Sequence, residues 1–393
     1  MLDHAPETTR RSGKLWDEVP DPILRSVGFL SFFDRFATPP MLLVLAELTD
    51  LSLGQAVELV AGYALLYAVG QPVWGLISDR FGRITVLRTA LVGALLGALA
   101  STLFSAYIPL LLARAFTGLM VGALYPTLLT LLGDTRTGIS RAKGLSDLQI
   151  YSSLGTTIAT LAAGTLAVLA DWRLVFALPA LGCLALLVGL RRIGPDPSRT
   201  ASVEVHRAFA GAPLGVYGLA VLEGAVLMGA LTYIVPALQH AGTRISLAGA
   251  LAAGYGLGVI AGARLMRYLV HRFTRTRLIA IGGAVLVTAF ATSSLWQAPA
   301  ALTATAVLIG LSNAVLHSSM QGWATDVAPQ ARATTVSLFA CALFLGASLA
   351  TYCTSGLAED GQYGTIFALS LALSIILTAA ATAGHLAWKR RQD

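Results

Sequence analysis

Charge is what this 393-residue chain has least of. Asp, Glu, Lys and Arg make up 12% of it, about half of the roughly 25% usual in soluble domains. Hydrophobic residues make up 56% and mean hydropathy is +0.73. A soluble core has no use for so much apolar surface, so lipid is the solvent for most of the chain. Cysteine is scarce too. Cys183, Cys341 and Cys353 all fall in apolar stretches and read as small buried residues, with no disulfide framework and no metal site expected. There is no H-E-x-x-H, no G-x-S-x-G and no Walker-type G-x-x-x-x-G-K-[ST], so neither a membrane enzyme nor direct ATP drive is expected, and no cofactor. A net charge of +7 on such a chain does not speak for nucleic acid; the useful question is where the basic residues lie. The opening "MLDHAPETTRRSGKLWDEVPDP" lacks a cleavable signal pattern and reads as a cytoplasmic tail ahead of a retained anchor.

Cutting the chain at its polar punctuation leaves twelve apolar segments, near 23–48, 54–77, 84–105, 107–132, 143–169, 173–190, 213–239, 245–268, 278–296, 300–325, 333–357 and 364–388. Of the 27 Lys and Arg, only Arg173 and Arg244 fall in the loops of one side, while Arg35 and Arg114 lie within spans. All the others cluster at the opposite side, which the positive-inside rule makes cytoplasmic, together with both termini. The expectation is a multi-pass protein of the bacterial inner (plasma) membrane, its only macroscopic partner the lipid bilayer.

"SDRFGRITVLR" from Ser78 returns 192 residues later as "VHRFTRTRLIA" from Val270, pairing Arg80 with Arg272, Phe81 with Phe273 and Arg83 with Arg275. Asp134 pairs with Asp326 at the same offset, and at 191 "LGTTIAT" from Leu154 pairs with "LGASLAT" from Leu345. Several matches at nearly constant offset mean a duplication. The expected organisation is a tail 1–22, a six-helix bundle 23–190, a cytoplasmic linker 191–212, a second bundle 213–388 and a tail 389–393. Parallel repeats leave a seam where a solute site can open to either side by rocking. A receptor or scaffold on the same helices is the non-transport alternative.

The loop between spans 2 and 3 reads "GLISDRFGR". Asp79 ends a helix, Gly82 allows a tight reversal, and Arg80 and Arg83 sit at headgroup level. The stretch Gly75, Asp79, Arg80, Gly82 and Arg83 resembles the G-x-L-x-D-R-x-G-R-[RK] signature of the major facilitator superfamily, departing at Ile77 and Ile84. "LARAFTGLMVGALYP" resembles the family's R-x-x-x-G pattern in span 4, with Gly118 and Gly122 at packing spacing behind Arg114. "DWRLVF" from Asp171 is similar to the family's lead into span 6. The resemblance implies an all-α membrane protein of 12 transmembrane helices in two pseudo-symmetric six-helix bundles, working as a monomer, with spans 1, 4, 7 and 10 lining its cavity. It also implies that Asp79 latches the two halves near the start of span 11, whose N-terminus favours an anion. His271 stands at the second copy's Asp79 position, so the latch is one-sided.

Ionisable residues inside spans are few and therefore informative. "SFFDRFATPP" puts Asp34 and Arg35 side by side in span 1; Arg114 lies in span 4, Asp147 at the start of span 5, Glu223 in span 7 and His317 in span 10. Asp34 and Glu223 hold near-equivalent places in the two copies. Desolvation disfavours an ionised carboxyl and a nearby guanidinium favours it, so such a group can change protonation with access or solute. Asp34 and Glu223 are the coupling candidates, with Arg114 and Arg35 as partners. The cavity candidates are Tyr63, Tyr67, Gln71, Tyr125, Gln149, Tyr151, Tyr233, Tyr255, Asn313, His317 and Gln321. This neutral, aromatic set suits a small amphiphilic or aromatic solute rather than a polyanion. The layout most resembles the drug:proton antiporters and related small-solute exporters of the superfamily. "GTTIATLAAG" from Gly155 keeps the small residues of the exporters' span-5 motif but lacks its proline, which leaves proton symport and lipid-like transport open as alternatives.

Overall fold

The structure is a computed structural model describing residues 19–136, 138–195, 208–209 and 211–392. Most of the expected tail 1–22 and of the linker 191–212, including Arg10, Arg11, Lys14, Arg199 and Arg207, lies outside the described residues.

Among the described residues, eleven helical runs are long and apolar enough to cross a membrane. One of them, Lys143–Leu190, has 48 residues, too long for one crossing at 1.5 Å per residue. It breaks at Asp171, whose extended backbone (φ −159°, ψ 136°) and side chain cap the next helix by accepting from the Arg173 amide at 2.8 Å. The spans are therefore twelve: Asp21–Leu48, Leu53–Phe81, Arg83–Leu103, Tyr107–Thr135, Gly138–Leu166, Trp172–Leu190, Gly211–His240, Ile245–Leu269, Arg275–Leu295, Pro299–Asp326, Arg332–Cys353 and Tyr363–Arg390. The last runs through Lys389 and Arg390, which the sequence placed in the tail. Leu96, Leu103, Leu112, Leu169 and Leu295 stand exposed, as helices solvated by lipid allow.

The duplication is legible in the packing. Span 1 lies on span 5 as span 7 lies on span 11; span 2 on span 4 as 8 on 10; span 3 on span 6 as 9 on 12. The bundles meet across a seam formed by span 2 against 11 and span 5 against 8. Lipid offers no hydrophobic drive between helices, so close backbone approach carries these contacts. A Cβ on Gly249 of span 8 would fall 2.6 Å from the Thr160 carbonyl of span 5, and one on Gly164 would fall 2.7 Å from the Pro40 carbonyl.

Several spans are interrupted along their length, span 8 at Ala253 among them. Span 1 passes through a short 3-10 turn at Pro39–Met41, where proline removes backbone donors. Span 4 turns at Gly122 and Ala123. Spans 7 and 10 carry π turns at Ala225–Gly229 and Asn313–His317. Spans 1, 4, 7 and 10, the expected cavity liners, are all among the interrupted ones.

The seam is shut at the face opposite the termini. There Ser52 Oγ donates to Glu359 Oε2 at 3.1 Å, and a continuous core joins Met41, Leu45 and Val57 of one bundle to Ile234 and Leu238 of the other. Deeper in, Ser348 Oγ donates to the Ala61 carbonyl at 2.8 Å. Towards the face carrying the termini, span 5 packs chiefly on the first segment of span 8, Ile245–Ala252, and much less on Gly254–Leu269. Gln149 and Gln321 are exposed there.

Candidate functional site

Beneath the shut face a cavity opens in the seam, with about 760 Å³ of empty space, its mouth included. Both bundles line it: Arg35, Phe36, Tyr63 and Tyr67 from spans 1 and 2, and Met228, Leu231, Tyr255 and Phe344 from spans 7, 8 and 11. Tyr63 and Tyr67 share a face because they are one helical turn apart, and their rings stack at 6.1 Å. Thr156 and Thr160 repeat that spacing on span 5, as do Met228, Thr232 and Val235 on span 7. The sequence reading missed these residues, although the i, i+3, i+4 rhythm was there to be used.

Of the cavity candidates, the structure places Tyr63, Tyr67 and Tyr255 on this cavity. The others stand elsewhere. Tyr233 is buried against span 11, donating to the Thr351 carbonyl at 2.8 Å and accepting from Thr354 Oγ1 at 2.8 Å. The π turn and the 3-10 turn ahead of it shift the helical phase that would have pointed it inward. Tyr125 stacks edge-on against Phe32 with centroids 5.0 Å apart and reaches Gln149 at 3.4 Å, nearer the terminal face. The Tyr151 ring faces Arg25. Gln71 is buried within span 2, and Asn313 belongs to the π turn of span 10. Gln321 is exposed towards the terminal face.

Asp34 and Arg114 are brought together. Arg114 Nη1 lies 3.1 Å from Asp34 Oδ1, Nη2 reaches the Asp34 carbonyl at 3.3 Å, and both residues are almost wholly buried. The guanidinium is flanked by the Tyr63 and Phe176 rings, each 4.7 Å away. Tyr63 therefore touches the ion pair on one side and lines the cavity on the other.

Arg35 is not brought to Asp34. Consecutive helical residues point about 100° apart, and Arg35 swings into the seam. Its guanidinium lies 4.0 Å from the Phe344 ring, 4.8 Å from Phe36, 5.4 Å from Tyr67 and 5.7 Å from Phe32, with one nitrogen 3.2 Å from Met228 Sδ. Among the described residues no carboxylate pairs with it. Cation–π contacts contribute roughly 0.5–2 kcal/mol each, against an effective cost of several kcal/mol for an ion taken out of water.

Glu223 is fully buried in span 7, and His317 Nδ1 of span 10 lies 3.3 Å from its Oε1. Glu223 Oε2 has no hydrogen-bond partner. Two residues considered separately in the sequence thus meet as one pair between spans 7 and 10. Asp147, by contrast, is held by Arg25 at 2.6 Å, and Asp21 by Arg136, a network tying spans 1, 4 and 5 at the terminal face.

In the loop motif, Gly82 has φ +89°, a conformation that favours glycine, and it delivers the reversal the sequence asked for. Asp79 is half exposed and pairs with Arg83 at 2.8 Å, while Arg83 also reaches Asp134 at 3.4 Å. The Arg80 guanidinium lies over Phe81. Across the seam, a Cβ on Gly75 would lie 4.0 Å from Ser337 Oγ of span 11, an ordinary van der Waals contact.

Known proteins place this architecture. A triacylglyceride transporter of Mycolicibacterium smegmatis is 33% identical over 104 residues, 26% of this chain and 19% of the relative. The quinolone resistance protein NorB of Staphylococcus aureus is 24% identical over 152 residues, 39% of this chain and 32% of the relative. The chain thus matches less than a third of the length of these curated relatives. The crystal structure of the nucleoside transporter NupG superposes with a TM-score of 0.77 at 14% identity, covering 93% of this chain and 99% of that one, which speaks for the fold alone. The Major Facilitator Superfamily model matches twice, over residues 26–222 and 214–391, one copy for each bundle. With twelve spans in two matching sets of six and a cavity in the seam between them, the chain belongs to the Major Facilitator Superfamily.

Proposed function

We propose that this protein is a secondary active transporter that moves a small amphiphilic or aromatic solute by alternating access, coupled to protons, with export preferred. The observation that carries the reading is Tyr63, one side chain shared by the seam cavity and the buried Asp34–Arg114 pair. A solute that displaces Tyr63 changes the surroundings of Asp34, and a proton on Asp34 releases Arg114 towards the cavity. Bundles 23–190 and 213–388 rock about the linker 191–212. With both termini cytoplasmic, as the arginine distribution asks, the face where span 5 parts from Gly254–Leu269 of span 8 is the inner one, and the cavity opens towards the cytoplasm. Glu223 with His317 forms a second place for a proton, and Asp79 with its loop latches the inner face when it closes.

The test uses purified protein in liposomes carrying an internal pH dye, with a panel of aromatic and amphiphilic solutes. Solute-driven proton movement in wild type that is lost in Asp34→Asn supports the reading. Coupling that survives Asp34→Asn but is lost in Glu223→Gln moves the proton site to the second bundle. Solute movement without proton movement overturns proton coupling. A lipid-like solute is the second reading, favoured by the relatives named triacylglyceride transporters. A fluorescent acylglycerol moved between labelled and acceptor vesicles would bear it out.

A further inference from the structure

Arg35 is left over by the mechanism above. Its neighbour Asp34 is committed to Arg114, and among the described residues no other carboxylate lies within ion-pair distance. Yet Arg35 lines the cavity, and its contacts come from both sides of the seam: Phe36 and Tyr67 from one bundle, Phe344 and Met228 from the other. Aromatic faces and a thioether soften the cost of a buried cation without neutralising it. The rest of the lining is aliphatic, aromatic or hydroxyl-bearing, and contributes no second charge.

We propose that Arg35 anchors a singly charged anionic headgroup, so that the solutes of this cavity are amphiphilic monoanions: a carboxylate, sulfonate or phosphodiester on an aromatic or acyl body. The planar guanidinium offers two parallel donors, which a carboxylate or phosphodiester accepts together. Tyr67, Phe36 and Phe344 wall the headgroup, and Met228, Leu231 and Tyr255 receive the apolar body. One arginine suits one negative charge; a polyanion would leave charge uncompensated in an apolar site. Binding also makes the occupied seam electrically neutral at this depth, which lowers the cost of rearranging it. This rests on the reading of the cavity as the solute site.

The experiment measures binding of four naphthalene probes of matched body to the purified full chain: 2-naphthoate, 2-naphthalenesulfonate, neutral 2-naphthamide and cationic 2-naphthylmethylammonium. Wild type is expected to hold both anions about tenfold or more tighter than the amide, with the cation weakest. Arg35→Gln should bring anion and amide to within about twofold of each other while the amide binds as before, and Arg35→Lys should keep a reduced preference. Equal binding of naphthoate and naphthamide by wild type overturns the proposal, as does a preference for the cation or an anion preference that survives Arg35→Gln. No binding of any probe overturns it too, and leaves the transport reading to its own liposome assay. If Arg35→Gln does not fold, the wild-type ratio and Arg35→Lys decide. Competition then separates the sources of the anion. Displacement of naphthoate by short-chain phosphatidylglycerol but not phosphatidylcholine upholds the proposal with a lipid headgroup, and displacement by neither upholds it with a free acid. Equal displacement by both overturns it.

Discussion

Arg275 and Asp326 meet at 2.6 Å, and 192 residues earlier Arg83 and Asp134 meet at 3.4 Å. One ion pair, between the start of a third helix and the end of a fourth, has been kept in both copies of the repeat while the loops around it diverged.

The two copies differ in burial. The Arg83 side chain is 8% exposed and Arg275 35%. Asp134→Asn should therefore cost about 1–3 kcal/mol of stability, whereas Asp326→Asn should cost less than about 1 kcal/mol. Thermal unfolding of the detergent-solubilised variants checks the order, and an equal or reversed effect would refute it.

Asp34 and Arg114 are buried together, so removing one partner strands the other. Arg114→Met alone is expected to destabilise by about 3–5 kcal/mol. The double variant Asp34→Asn, Arg114→Met should recover more than half of that loss without recovering proton movement. Urea unfolding beside the liposome assay separates the two outcomes; recovery of both would make the pair purely structural.

Spans 7 and 11 interlock through a reciprocal pair of glycines: Gly224 faces the Leu343 carbonyl, and Gly346 faces the Val221 carbonyl. Both neighbours are backbone, which cannot swing aside. Gly346→Ala should reduce folded yield and lower the unfolding temperature, at a cost of about 1–3 kcal/mol. Gly215→Ala, with nothing within 4 Å of its added carbon, is the control and should be neutral. Size-exclusion profiles and melting curves read both.

Access can be read with thiol labels. In a background with Cys183, Cys341 and Cys353 replaced, Gln321→Cys should react rapidly with a polar maleimide, and Ser348→Cys, buried against span 2, slowly. Asp79→Asn removes one of the partners of Arg83 and, on the latch reading, disfavours closure of the terminal face, so it should raise labelling at Gln321→Cys further. Unchanged labelling would remove Asp79 from gating.

Much of this was legible in the sequence, for identifiable reasons. Lipid forces every span to be a long apolar run, so the twelve spans and the duplication could be read directly, as could the turn at Gly82. Arg114 and Asp34 could be matched because buried opposite charges have few places to go. Rotation about the helix axis could not be read so well. Tyr63 and Tyr67 kept to a regular helix and their face was predictable, whereas Tyr233 sits after a π turn that resets the phase. Arg35 differs from Asp34 by one residue, which is enough to send it to the other side of the helix wall. The pairing of His317 with Glu223 joins two spans 94 residues apart, a distance that no local pattern encodes.

The interruptions at Pro39–Met41, Gly122, Ala225–Gly229 and Asn313–His317 have a mechanical meaning. A continuous helix is a rod, and closing one of its ends swings the other out by lever action. A helix jointed at mid-depth can incline one segment while the other stays seated. With joints in spans 1, 4, 7 and 10, the two ends of the seam would be geared separately. On the transport reading proposed above, one entrance would shut before the other unseals, and a solute would pass through without an open pore ever forming.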